Sequence, residues 1–128
     1  MVRFETSRFG ILEIDEDKII NFPDGIPGFP EIKRYILMDY KDTPLKWLQA
    51  VDNPDVAFIV AEPSIFLPDY SIKLDVAIRE YLQLKKEEDL AALVIIRVED
   101  GKVIANFQGP LLLNASLMRG VQVVIDRV

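Results

Sequence analysis

The chain has 128 residues, half of them apolar and 28% charged, enough for one compact core and a solubilising surface, and this excludes a disordered or fibrous protein. Its formal net charge is −6, with 15 Lys and Arg scattered among 21 Asp and Glu; that excludes a surface built to neutralise phosphates, so the expectation is a basic protein partner and no direct nucleic acid. With no cysteine and no histidine, disulfides, thiolate nucleophiles and the side chain that moves protons near neutral pH are all missing.

In chain order, MVRFETSRFG lacks the apolar stretch of a secretory signal, and no apolar run approaches the about 18 residues a membrane span needs, so a cytoplasmic protein with no membrane contact is expected. Gly10 to Ile14 and Lys18 to Phe22 flank Asp15-Glu16-Asp17 and read as an opening hairpin. Phe22 to Pro30 (FPDGIPGFP) must be an ordered loop, since its prolines lack a donor N–H and its two glycines mark turns. Tyr35 to Tyr40 reads as a strand. Leu45 to Val51 and Val56 to Ala61 form a second hairpin across Asp52 to Asp55, where Pro54 presets a type I turn and Asn53 can bond the backbone ahead of it.

Leu74, Ile78, Tyr81 and Leu82 recur at helical spacing, and Asp75 is placed to cap a short amphipathic helix over Val76 to Leu84. The strongest local signal is Asp100-Gly101. It is a two-residue type I′ loop that sets Glu99 opposite Lys102 and Val98 opposite Val103, between strands Leu93 to Val98 and Val103 to Phe107. Leu111 to Leu113 and Val121 to Ile125 complete the set, with a loop from Asn114 to Gly120. The expected fold is a single domain over residues 1–128 and mainly β: a small antiparallel β-barrel or sandwich with one short helix.

Catalytic chemistry finds little support. A Ser-Lys dyad has no spacing signal among the four serines and two threonines. Asp15 to Asp17 fails as a calcium loop because Ile19 and Ile20 stand where a ligand and the turn glycine belong. The loop Phe22 to Pro30 lacks the lysine and the following helix of a phosphate-binding loop. No catalytic, cofactor or metal residue is assigned. The alternative reading is a small hydrolase using a carboxylate pair, and a third is a structural subunit. Ile65, Phe66 and Leu67, between Pro63 and Pro68, either fold back into the core or form a partner patch, and Leu117-Met118 invites the same two readings. Glu87-Glu88-Asp89 is either a solvated turn or, with Glu62 and Asp69, an acidic rim.

Three stretches, IINFPDGIPGFP (Ile19 to Pro30), WLQAVDNPDVAFIVAEPSIFLPDY (Trp47 to Tyr70) and NFQGPLLLNASLMRGVQVV (Asn106 to Val124), together resemble the flagellar assembly factor FliW family along essentially the whole chain. Phe22, Gly25, Gly28 and Phe29 match its glycine-aromatic loop; Trp47-Leu48-Gln49 and Pro63, Phe66, Pro68, Asp69 and Tyr70 match its central run. Asn106, Pro110, Asn114, Gly120 and Gln122 match its C-terminal pattern. The resemblance implies a β-barrel-like protein without enzymatic activity; the chain is separately expected to be monomeric when free. The resemblance also implies two partners taken in turn, flagellin and, once flagellin is exported, the RNA-binding regulator CsrA, whose repression of flagellin translation is thereby relieved.

Overall fold

Ten strands carry the regular structure of the computed structural model, which describes residues 1–125. They are β1 (Val2–Thr6), β2 (Gly10–Ile14), β3 (Ile20–Asn21), β4 (Arg34–Asp39), β5 (Lys46–Ala50), β6 (Ala57–Ala61), β7 (Leu90–Glu99), β8 (Lys102–Ala105), β9 (Leu111–Asn114) and β10 (Arg119–Gln122). One helix, α1 (Val76–Tyr81), lies between β6 and β7. An eight-stranded sheet runs β6-β5-β4-β3-β10-β9-β7-β8, and β6 also pairs with β7, which closes the run into an uneven barrel and leaves β8 outside the ring. Closure is possible because β7 is ten residues long: Leu90 to Leu93 pair with β9, Val94 to Ile96 with β6, and Ile96 to Glu99 with β8.

Strand side chains alternate between faces, and the sequence uses that period to fill the barrel. Tyr35 from β4, Leu48 and Ala50 from β5, Val60 from β6, Leu93 from β7, and Leu111 and Leu113 from β9 form the interior with Phe22. Phe22 is fully buried and meets Tyr35 edge to face at 5.5 Å; burying such a side chain contributes about 1.5–3 kcal/mol. The opposite faces are apolar too, and each acquires a cover. The β1–β2 hairpin lays Val2, Phe4, Leu12 and Ile14 over Ile19, Ile36 and Val51, while α1 and its flanks set Ile72, Leu74, Ile78, Leu82 and Leu84 on Leu112. Asp75 caps α1 as expected, its Oδ1 accepting from the Ile78 N–H at 2.8 Å.

The loop Phe22 to Pro30 is ordered. Gly25 holds φ +69°, and a Cβ there would lie 2.6 Å from the Pro30 Cα, so only glycine fits. The Asp-Gly hairpin forms in the expected register, with Asp100 and Gly101 both at positive φ. The Asn53–Pro54 turn closes through the Val56 N–H on the Asn53 carbonyl, and the Asn53 side chain accepts from the Asp55 N–H at 3.0 Å.

Several boundaries and one pairing differ from expectation. Gly10 to Ile14 does not pair with Lys18 to Phe22: β2 pairs with the N-terminal β1 in a separate two-stranded sheet, and Glu16–Lys18 is a 3₁₀ turn rather than a hairpin tip. Ile19 and Ile20 are both buried, in different clusters, so the chain must leave β2 and enter the barrel between β4 and β10. The sheet is not wholly antiparallel, because β3 meets β10 in a parallel bridge, Asn21 with Arg119. Helix α1 ends at Tyr81, and Gln83 at φ 55° turns the chain back. Asn114 belongs to β9 and Arg119 to β10, so the loop is shorter than Asn114 to Gly120. Val123 and Ile125 lie past the β10 ladder but still donate to Pro110 and Gln108.

Candidate functional site

Pro63 to Tyr70 leaves the barrel at the end of β6 and cannot continue it, because Pro63 and Pro68 lack the N–H a ladder needs. Pro63–Ile65 forms a 3₁₀ turn, with Pro63 buried and the Phe66 and Leu67 N–H groups both returning to the Pro63 carbonyl. Ile65, Phe66 and Leu67 stand 42%, 39% and 37% exposed, three large apolar side chains in succession outside the sheet. Their segment is nonetheless fixed. The Phe66 ring packs edge to face on Phe107 at 6.4 Å, the Tyr70 ring lies 5.9 Å from the same side chain, and the Tyr70 hydroxyl donates to the Phe107 carbonyl at 2.8 Å. Burial pushes the Tyr70 phenol above its usual pKa, which keeps that donor protonated. Glu62 and Asp69 flank the patch in the exposed class, and no Lys or Arg occurs from 62 to 72.

Leu117 and Met118 occupy the β9–β10 turn. Asn114, buried at the end of β9, organises it by accepting from the Ser116 and Leu117 N–H groups and donating to the Leu82 carbonyl at 2.9 Å. Leu117 is 51% exposed, whereas Met118, at φ 54°, packs against the barrel interior. The acidic run Glu87–Asp89 is a 3₁₀ turn beside this loop: the Asp89 carbonyl accepts from the Ala115 N–H at 2.8 Å, and Glu87 pairs with Arg79 of α1 at 2.5 Å. The run therefore adjoins the β9–β10 turn at Ala115, two residues before Leu117. Glu62 instead lines an open cleft of about 320 Å³ with Pro63, Tyr70 and Leu90 to Ala92, and none of Glu87 to Asp89 lines it. A second depression, about 280 Å³, lies beside Leu67 to Tyr70.

Phe107 anchors the segment through Phe66 and Tyr70, and nothing in the sequence points to that role, because the Tyr70 hydrogen bond alone spans 37 positions. Arg79 at Glu87 is likewise a tertiary pairing. The Tyr81 hydroxyl donates to Asp24 at 2.7 Å while Arg119 stacks on the Tyr81 ring at 4.8 Å and donates to its carbonyl, tying α1 to the glycine loop and to β10. Among the described residues no three Asp or Glu side chains are grouped to hold a metal ion, and no helix is long and apolar enough to cross a membrane.

This architecture defines a small uneven β-barrel whose distinctive surface is an apolar segment set outside the sheet. It matches a solved crystal structure of the flagellar assembly factor FliW with a TM-score of 0.91 and 36% identity, covering 99% of this chain and 91% of that one. The family model described as FliW protein matches residues 3–128. Flagellar assembly factor FliW of Caldanaerobacter subterraneus is 36% identical over 98% of this chain and 86% of its own length. That of Geobacillus kaustophilus is 39% identical over 97% and 88%. The chain belongs to the FliW family.

Proposed function

We propose that this chain is a flagellar assembly factor without catalytic activity, a cytoplasmic single-domain protein, monomeric when free, that binds flagellin and, when released from it, binds and antagonises CsrA. The observation that carries this reading is the exposed, rigidly held triplet Ile65-Phe66-Leu67 between two carboxylates. An apolar anchor of this kind suits an amphipathic flagellin segment, whose hydrophobic side chains lack a partner before assembly. The acidic run Glu87–Asp89 beside the β9–β10 turn suits a basic RNA-binding protein, because rim charges act chiefly on association rate. The family resemblance supplies both partner names, and the missing histidine and cysteine agree with a role by binding alone.

Two substitutions test the assignment. Phe66→Asp lowers flagellin affinity at least about tenfold, roughly 1.4 kcal/mol, with the circular dichroism spectrum retained; unfolding would show that Phe66 serves the fold instead. Reversal of Glu87, Glu88 and Asp89 to lysine slows CsrA association and flattens its salt dependence while flagellin binding changes far less. Unchanged CsrA kinetics would remove the acidic run from the interface.

A further inference from the structure

Among the described residues, closure of the barrel through β6 and β7 leaves β8 with a strand neighbour on one side only. In an antiparallel pair, residues whose N–H and C=O groups point at the partner alternate with residues whose groups point away. The Asn106 N–H donates to the Ile95 carbonyl at 2.9 Å, which makes Ile95–Asn106 an inward, hydrogen-bonded position. Counting back along the register, Arg97–Ile104 and Glu99–Lys102 are also inward, while Ile96–Ala105 and Val98–Val103 direct their backbone groups outward. The Ala105 carbonyl is engaged by the Phe107 N–H at 3.0 Å, so among the described residues the outer edge offers both backbone groups of Val103 and the N–H of Ala105. At this edge Val98 and Val103 stand side by side, 67% and 63% exposed. Lys102, on the opposite face, is exposed and has no ion pair with the described residues, because the Glu99 across from it is held by Arg97 at 2.8 Å.

We propose that the outer edge of β8 is a strand-addition site for an extended segment of another protein. The segment carries an apolar residue to lie beside Val103 and, next to it in sequence, a carboxylate to lie beside Lys102. Main-chain hydrogen bonds to Val103 and Ala105 hold the segment, and the alternation of apolar and acidic side chains selects it. Local charge argues against a second copy of this chain as the occupant: antiparallel self-pairing about Val103 would bring the two Lys102 side chains to the same face, with no carboxylate between them.

The test is titration of the isotopically labelled full chain with a blocked heptapeptide of alternating threonine and valine containing one central Glu-Val pair, followed by two-dimensional NMR. The expected result is saturable downfield movement of the Val103 and Ala105 amides. It is lost with a peptide N-methylated at alternate positions, and is roughly two- to fivefold weaker in affinity when the peptide Glu is Lys. Val103→Pro should abolish binding yet keep the β7–β8 cross-peaks, because the proline replaces an N–H that the hairpin does not use. No movement at millimolar peptide, movement mapping to the β1–β2 edges, binding that survives N-methylation or Val103→Pro, or concentration-dependent movement of these amides without peptide would each overturn the proposal.

Discussion

Two hairpins extend beyond the closed ring, β1–β2 wholly and β7–β8 through its tip and β8, and they are attached by different physics. The β7–β8 hairpin is an extension of a barrel strand, so its hydrogen-bond ladder continues from the core and its register is fixed by the Asp100-Gly101 turn. The β1–β2 hairpin belongs to a separate sheet. Its hold on the barrel is side-chain packing over Ile36 and Val51, together with a clasp at its tip: the Ser7 N–H donates to the Pro54 carbonyl, Ser7 bonds Asp55, Arg8 lies 4.5 Å over the Trp47 ring, and Phe9 meets the same ring edge on at 5.7 Å. An isolated two-stranded hairpin is marginal in water, so β1–β2 depends on that packing. The comparison teaches that local sequence can specify a hairpin without specifying where it docks.

The largest effect expected is on the shared interior. Leu48→Ala deletes a fully buried side chain from the barrel and should lower global stability by about 2–5 kcal/mol, with amide exchange accelerating in both hairpins together. Phe4→Ala, removing half-buried packing from the β1–β2 cover, should destabilise by about 2 kcal/mol and deprotect β1 and β2 while β4 to β7 keep their slow exchange. Uniform loss of protection would show the two regions to be one cooperative unit. Gly101→Ala sharpens the contrast from the other side. Nothing lies within 4 Å of the added Cβ, so the cost of about 1 kcal/mol comes from the +75° φ alone and should loosen the β7–β8 tip without moving β1–β2.

The smallest effect concerns Tyr35, whose hydroxyl is buried in the barrel without a partner, and whose pKa burial raises to about 12. A phenol raised in the folded state contributes stability that is full below its unfolded value near 10 and is lost as pH climbs through about 12. Tyr35→Phe should therefore change stability at neutral pH by less than about 1 kcal/mol and reduce the loss between pH 10 and 12, read from denaturant midpoints across that range. A large loss at neutral pH would reveal a hydrogen bond to that hydroxyl.

At four places local backbone chemistry sufficed. Asp100-Gly101 demanded positive φ at both positions, Asn53-Pro54 preset its turn, Asp75 capped α1, and FPDGIPGFP could only be an ordered loop. The period-two pattern of Val2-Arg3-Phe4-Glu5 was equally present, yet the better-marked acidic turn after Ile14 drew the pairing of β2 to the wrong side, because pairing choice is a contest between partners rather than a property of one strand. Turn residues, caps and face alternation determined by themselves a mainly β chain with one short helix. Tertiary structure decided the closure of β6 on β7, the parallel bridge at β3, the seating of Phe66 on Phe107 and the placing of Glu87–Asp89 beside the β9–β10 turn. The physical reason is that each of these rests on contacts between residues far apart in the chain, whose energy is gained only after the intervening segments have folded and the loop entropy has been overcome.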